Sequence, residues 1–179
     1  ELKELYDAGL GIVYQGIESG NETILRKIKK GALPRHQLEA AEKVKASGML
    51  LSQTVLLGLG GIDMSIPHAI DTGKHLGRMS PQYASALTVM LLPNTQLYRE
   101  FQKGIFTLPD KFSLLRELKL IIEHMDVHDT CMFTSNHASN YLPIKATLPD
   151  QKADVLELLD RVIESGNEEL LKPEHLRAL

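Results

Sequence analysis

Four groups of residues in this chain have the types and spacing to do chemistry. The first is Gly16-Ile17-Glu18-Ser19-Gly20, in which the carboxylate Glu18 closes an apolar run and Ser19 follows it. Glu18 could accept hydrogen bonds from ribose hydroxyls or from an amino group; it could equally be a turn residue facing water. The second is Gly58-Leu59-Gly60-Gly61, whose glycines let backbone approach a ligand or simply make a tight turn. It lacks the fixed spacing of the dinucleotide fingerprint. The third is His124, His128 and Cys131, with Asp126 and Asp129 between them. Histidines four apart share a metal only while a helix continues, and helix signals fade near Met125, so a histidine at the negative helix pole is the better reading. The fourth is Ser135-Asn136-His137-Ala138-Ser139-Asn140-Tyr141, dense in donors and acceptors. Asn136, His137, Ser139 and Asn140 are the candidates there for contact with a substrate, although Asn and Ser also make turns. No acid and no nucleophile elbow accompanies its serines, so a Ser–His nucleophile is not expected.

The elements that must position these groups follow from periodicity. Gly11–Glu18, Leu51–Leu57 and Tyr83–Leu92 read as strands, each mostly apolar as for strands buried on both faces. Between them, Asn21 caps a short helix through Lys30, a second helix runs from Arg35 to Ala46, and a third from Ser65 to Met79 with Pro67 in its first turn. Units of about 35–40 residues fit βαβ crossovers, which give parallel strands. The fold class is therefore α/β, a partial parallel (βα) barrel of about three units. Ligands bind such folds at the carboxyl ends of the strands, where Glu18, Gly58 and the end of the third strand fall.

After the third strand the pattern becomes mostly helical. Phe112–Met125 carries Leu114, Leu115, Leu118, Ile121 and Ile122 on one stripe, and Asp154–Glu164 is a further helix. Glu168–Leu179 reads as a last short helix or a frayed end. Residues 129–148 read as polar and irregular. The expected division is residues 1–108 for the partial barrel and 109–179 for a helical extension packing on it.

Composition narrows the function classes. The chain has 179 residues, 43% hydrophobic and 24% charged, with a net charge of -3. That is ordinary for one globular unit and gives no basic face for nucleic acid. No apolar run is long enough for a membrane span. One cysteine, Cys131, can form no internal disulfide and can hold no metal cluster alone; the expected location is the cytoplasm. The chain opens on Glu1 within a helical pattern and reads as beginning inside a longer protein.

GIESG, a helix ending in KKG, TVLLGLGG and LLPNTQLY, in that order after ELKELYDAGL, resemble the later strands of the radical S-adenosylmethionine (SAM) superfamily. The likeness covers roughly residues 1–100 and is nearest the branch of oxygen-independent coproporphyrinogen oxidase and the methylthiotransferases. It implies SAM and a [4Fe-4S] cluster as cofactors of the parent protein. It also implies that Glu18, with Ser19 beside it, contacts the nucleoside or methionine part of SAM. Lys30 would lie toward the cofactor carboxylate; its own spacing reads as a solvated helix end. Thr54 and Leu56 would pack beside ribose and adenine, and Gly58 and Leu59 would form the turn beneath the adenine. Where the family often has Pro and Glu after this glycine, Gly60 and Gly61 stand here. The cluster-binding CxxxCxxC is not in this sequence, so no cluster and no metal site is expected in this chain, which would be an inactive portion of the enzyme.

The expected partners follow from that. They are an unknown small-molecule or macromolecular substrate, the missing amino-terminal half of the barrel, or a second copy paired through the edge of the first strand. Two other readings stand beside this one: a complete small α/β protein binding phosphate or nucleotide at Gly58–Gly61, and a non-catalytic module docking a partner on the stripe of Phe112–Met125.

Overall fold

A computed structural model describes residues 1–178. A short helix α1 (Leu2–Asp7) leads into strand β1 (Ile12–Glu18). Helices α2 (Glu22–Lys27) and α3 (Pro34–Ala46) connect it to β2 (Leu50–Leu57). Helix α4 (Gly61–Met79) leads to β3 (Tyr83–Thr88), and α5 (Gln96–Gln102) and α6 (Lys111–His124) lead to β4 (Cys131–Thr134). Strand β5 (Lys145–Leu148), helix α7 (Lys152–Ser165) and two 3-10 turns complete the chain.

The sheet has the order β1-β2-β3-β4-β5. The first four strands are parallel, and β5 runs back antiparallel to β4. Parallel neighbours need crossovers, and the helices supply them on one side of the sheet. Local chemistry sets their ends. Asn21, Thr95 and Asp110 each accept the backbone N–H three residues on, capping α2, α5 and α6.

Alternation within the strands corrects the expectation of strands buried on both faces. In β2, Leu51, Gln53, Val55 and Leu57 are buried against the helices, while Leu50 is exposed and Thr54 and Leu56 are half-buried on the other side. In β3 the buried set is Ala84, Ala86 and Thr88. The sheet thus has one helix-covered face and one open face. Helix α4 packs closely on α6, for a Cβ at Gly73 would run into the Ile121 carbonyl oxygen.

Three further expectations are corrected. Helix α4 begins at Gly61 rather than Ser65, so Pro67 lies inside it on the exposed side, where it gives up the bond to the Asp63 carbonyl and sets its ring against that group. The third strand stops at Thr88 rather than Leu92. Residues 129–148, read as irregular, contain β4 and β5. Each is four residues long, too short for alternation to stand out beside the turn-rich segment between them. One hydrophobic core runs across position 108, from Ile17 through Leu57, Leu76 and Ile121 to Leu159. The stripe Leu114, Leu115, Leu118, Ile121 and Ile122 is buried in that core, which leaves no docking face there. No helix among the described residues is long and apolar enough to cross a membrane.

Candidate functional site on the open face of the sheet

Register across the parallel strands aligns side chains on the open face. Gly16 pairs with Thr54, Thr54 with Ser85, and Ser85 with Thr134. These four positions form one row across four strands: a bare backbone followed by three hydroxyls. The row below it is Tyr14, Ser52, Tyr83 and Met132.

At the β1 end of the row the backbone is irregular. The register slips between Gly16 and Glu18, and Glu18 has φ 62°, in the left-handed region. This turns the Glu18 carboxylate back over Gly16, where a Cβ would come 2.7 Å from Glu18 Oε1. Lys30 Nζ donates to the same oxygen at 2.7 Å. Lys30 is therefore no solvated helix end but the partner of Glu18, and both side chains are less than a third exposed.

At the other end of the row stands the segment 135–141. Asn136 and His137 join Tyr14, Ser52, Thr54, Ser85 and Thr134 around a cavity of about 230 Å³. His137 Nδ1 accepts the Ser139 amide, which leaves the neutral ring its proton on Nε2. Ser139 and Asn140 do something else. Ser139 Oγ accepts the Thr88 amide, and Asn140 takes the Thr88 hydroxyl and donates to the Ala86 and Ser135 carbonyls. Their side chains stand in for a continuation of β4 beside the end of β3. Both are buried, and they build the wall rather than face the cavity.

The tail of the chain fastens this wall. Arg177 Nε donates to the Ser139 carbonyl at 2.7 Å, and Lys172 Nζ donates to that of Ala138 at 3.1 Å. The Arg177 guanidinium also lies 4.2 Å over the Tyr141 ring and donates to the Tyr141 hydroxyl and to Glu174. Desolvation pushes the Tyr141 phenol up to about 12, so it stays protonated and donates to Glu174.

Beneath the strand ends lies a buried polar chain that periodicity alone did not reveal. Ser19 is fully buried; its hydroxyl bonds His68 Nδ1 at 2.8 Å and accepts the Asn21 amide. His68 Nε2 reaches the Leu56 carbonyl at 3.0 Å and lies 3.5 Å from Glu117 Oε1. Glu117 in turn accepts from the Gly58 amide and the Ser65 hydroxyl. Burial drives both groups toward neutrality, lowering His68 to about 4 and raising Glu117 to about 7. Next to them His75 bonds Gln37 Oε1, and burial lowers it too to about 4. Helical spacing held the signal: His68, Thr72 and His75 share one buried stripe of α4, and Glu117 sits within the apolar stripe of α6.

This places the remaining candidates. Ser19 and Gly58 belong to the buried chain and turn no polar atom toward the open face. Two amides of the Gly58–Gly61 turn are engaged, that of Gly58 with Glu117 and that of Gly61 with the Gly58 carbonyl, so a carboxyl already occupies part of the turn. Leu56 and Leu59 pack with Ile24 and Val89, and Leu59 lines an adjacent cleft of about 260 Å³ with Ile28, Leu97, Lys27 and Glu100. His124 Nδ1 bonds the Leu120 carbonyl at the end of α6. Cys131 lies in the core, where desolvation pushes its thiol up to about 12. No three of the described His, Cys, Asp and Glu residues come together as a metal site.

No protein-family model matches the chain, and no curated protein does either. Among solved structures it is similar to Elp3 of the archaeon Methanocaldococcus infernus with residues 1–46 deleted, at a TM-score of 0.65 and 17% identity. The match covers 92% of this chain and 38% of that one, so the chain spans well under half the length of that structure. At this identity the likeness establishes a shared fold.

Proposed function

We propose that this chain is the carboxy-terminal part of a radical SAM enzyme and contributes the nucleoside and amino-acid side of its cofactor site. The observation that carries the reading is the row beginning at Gly16. Parallel strand ends bring the Glu18–Lys30 pair, the Thr54 hydroxyl and Leu56 to the open face, and Leu59 packs beside Leu56 with Ile24 and Val89. The motif order of residues 1–100 supports the same superfamily, and the Elp3 whose fold it shares is a member.

The residues fit one cofactor and not the other. An ion pair over a bare backbone suits the charged amino-acid end of SAM, and the Ile28, Leu59 and Leu97 side chains of the adjacent cleft suit its adenine. Bound SAM supplies, in such enzymes, a carbon-centred radical for hydrogen abstraction. A [4Fe-4S] cluster needs several thiolates, and the one cysteine here is buried with its thiol pushed up to about 12. The cluster ligands would come from the rest of the barrel, docked on β1, which pairs only with β2 among the described residues. A second copy on that edge is the alternative occupant in the isolated chain.

Titration of the chain with SAM, followed by amide chemical shifts, tests the reading. Weak, saturable shifts at Glu18, Lys30, Leu56 and Leu59 are expected. Shifts confined to other surfaces, or none with the fold intact, would remove it.

A further inference from the structure

The cavity on the open face differs in kind from four other clefts among the described residues. Those four each carry charged side chains: Lys27 and Glu100, Arg116 and Glu117, Lys145 and Asp154, or Lys74, Arg78 and Asp126. The open-face cavity carries no Asp, Glu, Lys or Arg. Charges flank it at both ends of the hydroxyl row: Glu18 and Lys30, which neutralise each other at 2.7 Å, and Lys145, which stands opposite Thr134 in β5 and lines the neighbouring cleft.

Its polar groups are nonetheless poised. Ser85 and Thr134 share a hydrogen bond of 2.9 Å, so one hydroxyl of that pair keeps a proton to donate. The hydroxyls of Ser52 and Thr54 and the amide of Asn136 face the cavity without a partner among the described residues. His137 has its Nδ1 engaged, which leaves Nε2 as a donor. Hydroxyls, an amide and an imidazole offer donors and acceptors in mixed array.

Two exclusions follow. An anion or cation brought onto this floor loses water and finds no Asp, Glu, Lys or Arg in the lining itself to replace it. A purely apolar ligand would strip water from several polar groups and give nothing back. Tyr14, 75% exposed at the rim, adds an aromatic surface beside the hydroxyl row. From these constraints we infer that the open-face cavity is a binding site for an uncharged, multiply hydroxylated molecule about the size of one sugar ring. This rests on the proposed function in taking the open face as the substrate side, and it shares Thr54 with the cofactor reading; the chemistry of the rest of the lining stands by itself.

The test uses three size-matched probes, D-glucose, D-glucuronate and D-glucosamine, titrated into the chain with amide shifts as readout. Glucose should move the signals of Thr54, Ser85, Asn136 and His137, and the two charged congeners should bind about tenfold more weakly or worse, the discrimination one missing counter-charge provides. Thr54→Val should abolish the glucose response and Thr54→Ser should keep it. Asn136→Asp, on an exposed loop residue, should turn the preference toward glucosamine. Equal or stronger binding of either charged probe to the unaltered chain overturns the inference, as does an intact fold that responds to none of the three. Glucose shifts without SAM shifts at Glu18 and Lys30 would remove the cofactor reading and leave this one standing; the reverse pattern would do the opposite.

Discussion

Lys30 Nζ and Glu18 Oε1 meet at 2.7 Å over a strand position that has no side chain. Twelve residues and helix α2 separate the two in sequence. The left-handed backbone of Glu18 turns its carboxylate back onto the sheet, and Gly16 leaves room for it. This partly buried pair, still in reach of water, adds about 1 kcal/mol to stability. Its value lies in fixing two opposite charges at the head of a row of hydroxyls.

Glu18→Gly separates those roles. Relief of the left-handed conformation is worth about 1 kcal/mol, which roughly offsets the lost pair. Urea unfolding should therefore change little, while the SAM-dependent shifts at Lys30 should vanish. Retained shifts would mean that the pair holds no cofactor.

Glu117→Gln probes the buried polar chain. A carboxyl raised from 4.5 to about 7 supports the fold fully below pH 4.5 and loses that contribution as pH rises through 7. His68 and His75, lowered from 6.5 to about 4, act oppositely: their contribution is present above pH 6.5 and is lost as pH falls through 4. In the unaltered chain Glu117 partly offsets the histidines. The Gln variant should match it in stability near pH 4.5 and exceed it by about 3 kcal/mol above pH 7, the free-energy equivalent of raising a carboxyl from 4.5 to about 7. Its stability should then fall more steeply on acidification. Urea midpoints across that range decide the matter, and a pH-independent difference would contradict it.

Arg177→Ala should loosen the wall of the cavity. Charge-assisted hydrogen bonds to Ser139, Tyr141 and Glu174 are lost together. A loss of about 2–4 kcal/mol is expected. Amide shifts should change at residues 136–140 and stay fixed at Gly16 and Thr54. A uniform change over the whole sheet would assign the tail a global role instead.

Gly73→Ala tests the packing of α4 on α6. The new methyl would run into the Ile121 carbonyl oxygen, so backbone must move. The expected cost is about 1–3 kcal/mol in thermal unfolding. Gly11→Ala, which meets nothing within 4 Å, is the control and should be nearly neutral.

Much of this was legible in the sequence because it is local. Apolar runs, caps and helix periodicity fixed β1, β2, α3 and α6 to within a few residues, and crossover lengths implied parallel strands. Those features depend on neighbours along the chain. The strand ends at Glu18 and Gly58 were also readable, because α/β folds gather them on one edge. What tertiary structure alone decided is which polar residues face outward. Ser19 and Thr54 look alike as strand-end polar residues, yet one closes a buried chain to His68 and the other stands on an open floor. Lys30 finds Glu18 only because the chain returns. Ser139 and Asn140 serve as a strand edge for Thr88 some fifty residues away. A side chain's role there depends on which distant backbone group lies within hydrogen-bond reach, and sequence spacing does not record that distance.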